Sequence, residues 1–200
     1  MRGKTMLSNT SKMPGKSISL DAFECITGSK LAEVPGSVCH GCYARKGRYR
    51  MPNVKNKMAE RMEFFNSIDF VPRMIALLNK TRSEYFRWFD SGDVQSVRMA
   101  LNIIDVIEAT PEKRHWIPTK ERAIWVEALK IKALPDNAVL RYSATMIDTA
   151  PPQAWQHSSA VIKDANPIGH ECPAPQQGGK CGNCRACWSK DIKTVSYHKH

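Results

Sequence analysis

The stretch that decides the fold is YFRWFDSGD, which spans residues 85–93. Its first five residues are aromatic except for Arg87, which predicts a buried strand, and residues 90–93 are a turn signal. Apolar side chains then recur at helical spacing through residues 94–109, before Pro111 ends the predicted helix. A strand, a polar turn and an amphipathic helix in this order form the first half of a βαβ unit.

The same alternation continues on both sides of this unit. Strands are predicted at residues 17–23, 85–89, 114–118, 138–143, 160–163 and 192–197, and helices at residues 54–66, 70–80, 94–109 and 120–133. This order indicates an α/β fold with a mostly parallel sheet. A closed TIM-like barrel typically needs about 250 residues. The 200 present therefore predict a partial or incomplete (β/α) barrel of about six units. We expect one domain over residues 1–200, with a cysteine-rich loop at residues 165–190 within it.

Polar residues follow several of the predicted strands. Because the carboxyl ends of parallel strands meet at one edge of a sheet, residues 90–93 and Lys120 are expected to lie close together. Asp90, Asp93 and Lys120 are therefore candidate catalytic residues, suited to proton transfer or to holding a charged ligand. Two other roles remain open: the aspartates can form the turn and cap the next helix, and Lys120 can lie on a solvated face. Thr119 is expected to cap the helix over residues 120–133.

The chain has seven cysteines, all of them in its outer segments. An odd number cannot be fully used in intramolecular disulfides, and residues 1–8 contain no apolar leader, so we expect a reducing, cytoplasmic location. No apolar run approaches the roughly 18 residues of a membrane span, which predicts no membrane association. Clustered thiols in a reducing compartment indicate metal ligands or redox groups.

The late cysteines give the strongest local signal. They are Cys172, Cys181, Cys184 and Cys187, and the last three are separated by two residues each. This triple, together with a Cys-Pro pair, is similar to the ligand pattern of bacterial ferredoxin clusters, although here the Cys-Pro comes first. Four thiolates also suit zinc. The sequence favours a [4Fe-4S] cluster over zinc, and over thiols that bind nothing.

The early cysteines are Cys25, Cys39 and Cys42. If all three thiols bind one [4Fe-4S] cluster, its fourth iron has no cysteine and is open to a substrate or cofactor. Two alternatives remain at this stage: Cys25 can be a small buried residue, and one cluster can draw ligands from both ends of the chain. The sequence therefore predicts one or two clusters.

Three short motifs carry a resemblance to a known family. They are Cys-x-x-Cys-Tyr-Ala at residues 39–44, Ser-Gly-Asp at residues 91–93, and a late cysteine cluster before Trp188. In this combination the chain resembles radical S-adenosylmethionine (SAM) enzymes and a set of uncharacterised phage iron–sulfur proteins related to them. The resemblance implies a radical-SAM-like barrel with a [4Fe-4S] cluster, SAM binding at Ser91, Gly92 and Asp93, and the host cytoplasm as the location.

Positive charge is concentrated beside the early cysteines. The formal net charge is +11, and residues 43–61 hold seven Lys or Arg against Glu60 alone. The densest part contains Arg45, Lys46, Arg48 and Arg50, with Tyr43 and Tyr49 interleaved. Such a segment suits an acidic redox partner, nucleic acid or substrate phosphates, or is simply a solvated face. The sequence thus favours a redox or radical-SAM-like iron–sulfur protein, and the alternative is a zinc-binding nucleic-acid-binding protein.

Overall fold

The computed structural model describes residues 6–199 and is built on an eight-stranded sheet. The strands are β1 (Ser8–Asn9), β2 (Lys16–Ile18), β3 (Tyr85–Trp88), β4 (Arg114–Thr119), β5 (Ala138–Ser143), β6 (Ser158–Ile162), β7 (His170–Glu171) and β8 (Thr194–His198). The helices are α1 (Ile26–Ala32), α2 (Pro52–Asn66), α3 (Phe70–Asn79), α4 (Val97–Glu108) and α5 (Arg122–Ile131). Short 3-10 turns lie at Ala22–Glu24, Tyr43–Arg45, Gly47–Arg50, Ala174–Gln177 and Ala186–Trp188. Most of the segment used for the leader expectation, residues 1–5, lies outside the described residues.

The sheet is open and mostly parallel. Its order is β1-β2-β3-β4-β5-β6-β8-β7, and only the β1–β2 pair is antiparallel. Strands β2 to β6 therefore lie side by side in chain order, which follows from successive βα units wound in one direction. The predicted α/β class and parallel sheet are confirmed, and the sheet does not close into a barrel.

One face of the sheet packs against α2 to α5. Side chains alternate along a strand, so Phe86 and Trp88 of β3 point to the helices and are at most 1% exposed. Tyr85 and Arg87 point to the other face. Apolar side chains of the helices complete this core, which explains why the aromatic strand and the amphipathic helix of residues 85–109 were strong signals.

The opposite face is covered by the cysteine-rich segment. A second apolar cluster forms there from Met13, Trp116, Cys172, Ala174, Ala186, Cys187, Trp188 and Val195. The indole N–H of Trp188 donates to the Phe86 carbonyl at 2.9 Å, and its ring lies 5.3 Å from that of Trp116. The predicted loop at residues 165–190 is therefore a packed layer that includes β7 and two 3-10 turns.

Several predicted boundaries differ from the structure. The first predicted strand ends at Ile18, because the Asp21 side chain accepts from the Phe23 N–H and starts a 3-10 turn. Helix α4 begins three residues later than predicted, at Val97, where Ser96 caps it. The prediction that Thr119 caps α5 is wrong, because the N-cap position is Glu121 and the Thr119 hydroxyl donates to a carboxylate elsewhere.

Candidate functional site

Hydrogen bonds of the Ser91-Gly92-Asp93 turn connect the carboxyl ends of β2, β3 and β4. The Ser91 hydroxyl donates to the Leu20 carbonyl, and the Leu20 N–H donates to the Ser91 carbonyl, each at 2.9 Å. Gly92 has a φ of +74°, and a Cβ there would lie 2.6 Å from the Cβ of Leu20. Glycine is therefore required both by the backbone conformation and by the close approach of β2.

Asp93 joins the β3 turn to the end of β4. Its Oδ1 accepts from the Val94 N–H and the Thr119 hydroxyl, each at 2.8 Å, and its Oδ2 accepts from the Lys120 N–H at 2.7 Å. Burial raises the pKa of Asp93 to about 7, against the lowering effect of these hydrogen bonds. The protein itself thus occupies much of the hydrogen-bonding capacity of this carboxylate.

The early cysteines gather beside this turn. Cys25 precedes α1, and a Cβ on Gly28 would lie 3.5 Å from the Cys25 sulfur and 3.7 Å from the Cys39 sulfur. Burial raises the pKa of Cys25 to about 12, and negative charge on Asp93, Cys39 and Cys42 adds to the effect. The structure therefore brings the three thiols, which span residues 25–42, to one place at the strand-end edge.

Glu121 holds the helix that follows Cys25. The carboxylate is 4% exposed and accepts from the N–H and the hydroxyl of Thr27, each at 2.7 Å. The sequence analysis missed this residue, although its place directly after the polar end of β4 was a usable signal.

Burial raises the pKa of Cys39, and the positive charge of Lys120 acts in the opposite direction.

The late cysteines gather on the other side of the sheet. Cys172 and Cys187 are buried, whereas Cys181 and Cys184 are half-buried. Burial raises the pKa of Cys181, and the charges of Cys172 and Cys184 contribute. Burial also raises the pKa of Cys187 to about 11, with a smaller contribution from Cys172. Cys172 therefore lies within electrostatic reach of Cys181 and Cys187, and Cys184 within reach of Cys181.

Two further polar groups contact the late cysteines. The Cys184 sulfur lies 3.3 Å from Nε2 of His170, and the Cys187 sulfur lies 3.1 Å from the Tyr197 hydroxyl. The sequence analysis did not select His170, whose position two residues before Cys172 was the available signal. All seven cysteines are free thiols. Across residues 6–199, no three His, Cys, Asp or Glu side chains stand in a ready-made metal-binding arrangement.

Arg141 is a buried cation beside the late cysteines. Its side chain is 0% exposed. The guanidinium donates to five backbone carbonyl groups, those of Cys187, Ser158, Lys193, Ala186 and Ser189. Within residues 6–199, no carboxylate forms a salt bridge with it. Carbonyl dipoles therefore stabilise this charge without an anion, and the sequence analysis missed the residue.

Two charged atoms near the end of β3 are buried without hydrogen-bond partners. They are Nε of Arg87 and Oδ1 of Asp90. The Arg87 guanidinium lies 4.5 Å from the ring centroid of Trp116, and the Asp90 carbonyl accepts from the Tyr43 hydroxyl at 2.5 Å. Buried polar atoms in folded proteins are nearly always paired, so the lack of a partner at both of these atoms is unusual.

The predicted basic segment lies next to the early cysteines. Arg45 is half-buried, with its guanidinium 4.7 Å from the ring centroid of Phe23. Lys46, Arg48 and Arg50 are exposed on two successive 3-10 turns. The candidate site thus combines thiols, unpaired charged atoms and an exposed basic surface at one edge of the sheet.

Comparisons with known proteins place the chain in a family. No curated protein and no solved structure matches it. Within residues 6–199, no helix is both long enough and apolar enough to cross a membrane. A protein-family model described as Gene product 88 matches residues 6–190, a range that contains all seven cysteines and residues 85–93. Because the match covers nearly the whole sequence, the chain belongs to the Gene product 88 family of phage proteins.

Proposed function

We propose that this protein binds [4Fe-4S] clusters and carries out redox or radical-SAM-like chemistry at the strand-end edge of its sheet. The late cysteines hold a closed cluster with four thiolates. The early cysteines hold a second cluster whose fourth iron is open. The observation that carries the proposal is the division of seven free thiols into a group of four and a group of three, in two separate places.

The surroundings of the late cysteines suit an anionic cluster. Arg141 is buried and donates only to carbonyl groups within the described residues, so a nearby anion would stabilise its charge further. A [4Fe-4S] centre in its 2+ state with four thiolates has a net charge of about 2 − 4 = −2. Such a centre would compensate Arg141, whose Nε donates to the carbonyl of Cys187 at 3.0 Å.

The protonation of the thiols fits the same donor chemistry. Burial raises the pKa of Cys25 to about 12 and that of Cys187 to about 11, so both thiols hold their protons near neutral pH. A bound metal centre displaces such protons and makes the thiolates its ligands. The residues present therefore fit cluster binding at both places.

The open iron at the early cysteines would face the edge where unpaired charged atoms lie. The Oδ1 of Asp90 and the Nε of Arg87 lack hydrogen-bond partners there and would pair with a polar ligand, whereas Asp93 is held by the protein. The chain order of β2 to β6 in an open sheet supports a radical-SAM-like incomplete barrel. When bound, SAM would supply radical chemistry. Without SAM, the same site would transfer electrons.

A zinc site is the second candidate, and one observation favours it. Nε2 of His170 lies 3.3 Å from the Cys184 sulfur, and zinc accepts mixtures of cysteine and histidine ligands. In this alternative the metal stabilises the layer over residues 172–188, and the basic segment binds nucleic acid.

Quantitation of iron, zinc and acid-labile sulfide in anaerobically purified protein tests the proposal. We expect about eight iron and eight sulfide per chain in the wild type, and about half of each in both Cys184→Ser and Cys39→Ser. The two variants control for each other, because each removes one thiol from a different group. Loss of all iron in both variants would indicate one shared cluster instead of two.

Three other results would overturn parts of the proposal. Zinc without sulfide in the wild type would replace the iron–sulfur proposal with the zinc alternative. Iron and sulfide with no spectral change on adding SAM would retain the clusters and exclude SAM binding. A Cys39→Ser variant that keeps its full iron content would remove the early site.

A further inference from the structure

An exposed surface beside the early cysteines combines cations with aromatic rings. We call it the basic aromatic surface, and its members are Phe23, Tyr43, Arg45, Lys46, Arg48 and Arg50. Arg48, Arg50 and Lys46 are exposed, and within residues 6–199 none of them forms an ion pair with a carboxylate. Their charge is therefore available to an anionic partner.

The two rings of this surface are exposed although the protein holds them in place. Tyr43 is 59% exposed, yet its hydroxyl donates to the Asp90 carbonyl at 2.5 Å and its ring lies 5.8 Å from that of Tyr49 in an edge-on contact. Phe23 is 41% exposed, with the Arg45 guanidinium 4.7 Å from its ring centroid. A ring fixed in this way can stack on a partner with little further loss of conformational entropy.

These features discriminate between two kinds of anionic partner. An acidic protein requires cations but no exposed ring faces. Single-stranded nucleic acid requires both, because phosphates pair with Lys and Arg while unstacked bases lie on aromatic rings. A duplex keeps its bases stacked on each other and would leave Tyr43 and Phe23 unused.

We propose that the basic aromatic surface binds single-stranded nucleic acid. Arg48, Arg50 and Lys46 contact the phosphates, and Tyr43 stacks on a base. A Cβ on Gly41 would lie 3.5 Å from Nζ of Lys46, so the surface begins beside Cys42 and a bound strand passes the early cysteines. Binding itself needs only the folded chain and holds whichever metal the cysteines carry. Its test is therefore separate from that of the proposed function.

Fluorescence anisotropy with a labelled oligothymidylate of roughly 12 nucleotides tests this inference, using the protein with the metal it carries when purified. We expect the double variant Arg48→Gln/Arg50→Gln to weaken binding at least about tenfold and to lower the slope of log K against log salt by about 1.4. The matched control is Arg82→Gln/Arg98→Gln, which removes the same charge from exposed positions outside the surface. It should change affinity less than about twofold.

Variants of Tyr43 separate stacking from charge. Tyr43→Ala should weaken binding roughly tenfold, because base stacking on the ring is lost. Tyr43→Phe keeps the ring and loses only the hydroxyl that fixes it, so it should weaken binding much less. If Tyr43→Ala binds as the wild type does and polyglutamate competes as well as the oligonucleotide, the surface is a docking site for an acidic protein and the proposal fails. Equal losses in the Arg48/Arg50 and Arg82/Arg98 double variants would also overturn it, because binding would then follow net charge alone.

Discussion

The two thiol groups have the same chemistry and opposite surroundings. The late cysteines lie in an apolar layer against the sheet, beside Trp188 and the buried Arg141. The early cysteines lie on a turn-rich segment at the strand-end edge, next to unpaired charged atoms and exposed basic residues. Two of the late thiols are buried, which suits a closed centre that stabilises the fold or stores an electron. All three early thiols are half-buried at an exposed edge, which suits a centre that meets a substrate. In the function we propose, the two groups therefore have separate tasks.

Replacement of Arg141, which lies beside the late cysteines, should lower the free energy of unfolding most. Arg141→Met leaves five buried carbonyls without their donor, so we expect the free energy of unfolding to fall by about 4 kcal/mol in urea denaturation. In the function we propose, the late cysteines should then lose their cluster while the early ones retain theirs. Arg114→Met, at a position whose side chain is 62% exposed, is the control and should cost less than about 1 kcal/mol. An equally mild effect at Arg141 would contradict its role as an anchor.

Substitution of Gly92 tests the packing of the strand-end edge beside the early cysteines. A methyl group at Gly92 meets Leu20 at 2.6 Å in a left-handed backbone conformation, so Gly92→Ala should cost about 3 kcal/mol in thermal or urea unfolding. Gly47 is the matched control, because its φ is +51° and a Cβ there meets nothing within 4 Å. Gly47→Ala should cost only about 1 kcal/mol. Similar costs at both positions would show that β2 does not limit the turn.

A buried histidine supplies a pH dependence that belongs to neither thiol group. Trp88 donates to Nδ1 of His115 at 3.2 Å, and Nε2 lies 3.0 Å from the Thr110 hydroxyl, which itself donates to the Val106 carbonyl. The ring is therefore neutral, with its proton on Nε2. Burial, aided by the charge of Lys113, lowers the pKa of His115 from 6.5 to about 3.

The unfolded chain therefore binds one more proton than the folded chain between pH 6.5 and about 3. Stability is unaffected by this group above pH 6.5 and falls as the pH drops below it, by about 2 kcal/mol at pH 5. Urea denaturation of His115→Gln at several pH values should show a flatter profile over this range than the wild type. An identical profile would assign the pH dependence to other groups, the thiols among them.

Substitution of Glu121 should lower the free energy of unfolding least, and its effect should be confined to the region around Cys25. Glu121→Gln weakens the paired hydrogen bonds to Thr27 and should cost about 1 kcal/mol, while alkylation of Cys25 becomes faster as α1 loosens. Glu127→Gln is the control, because Glu127 pairs with Lys130 on an exposed face and its loss should be nearly neutral. Faster alkylation at the late cysteines instead would show that the two groups are not independent.

The strands and helices that the sequence predicts correctly are those whose side chains are buried in a regular pattern. Residues 114–118 and 138–143 form strands almost at the predicted bounds, because both are short, largely buried segments between turn signals. Helix α1 was missed because none of its residues is buried, so the sequence there has no apolar periodicity to detect. The approach of Cys25 to Cys39 depends on that helix and could not be inferred from spacing. Arg141 had one signal, a lone cation in an apolar strand, but its carbonyl partners come from three distant segments.

A Mössbauer spectrum of the anaerobic protein enriched in iron-57 is the most direct test of the central claim, that one thiol group is closed and the other open. We expect only [4Fe-4S] signals, and addition of SAM should change the signal of about one iron in eight, the one without a cysteine ligand. A spectrum in which no iron responds would limit the early centre to electron transfer, and a protein that contains zinc and no cluster iron would contradict this account.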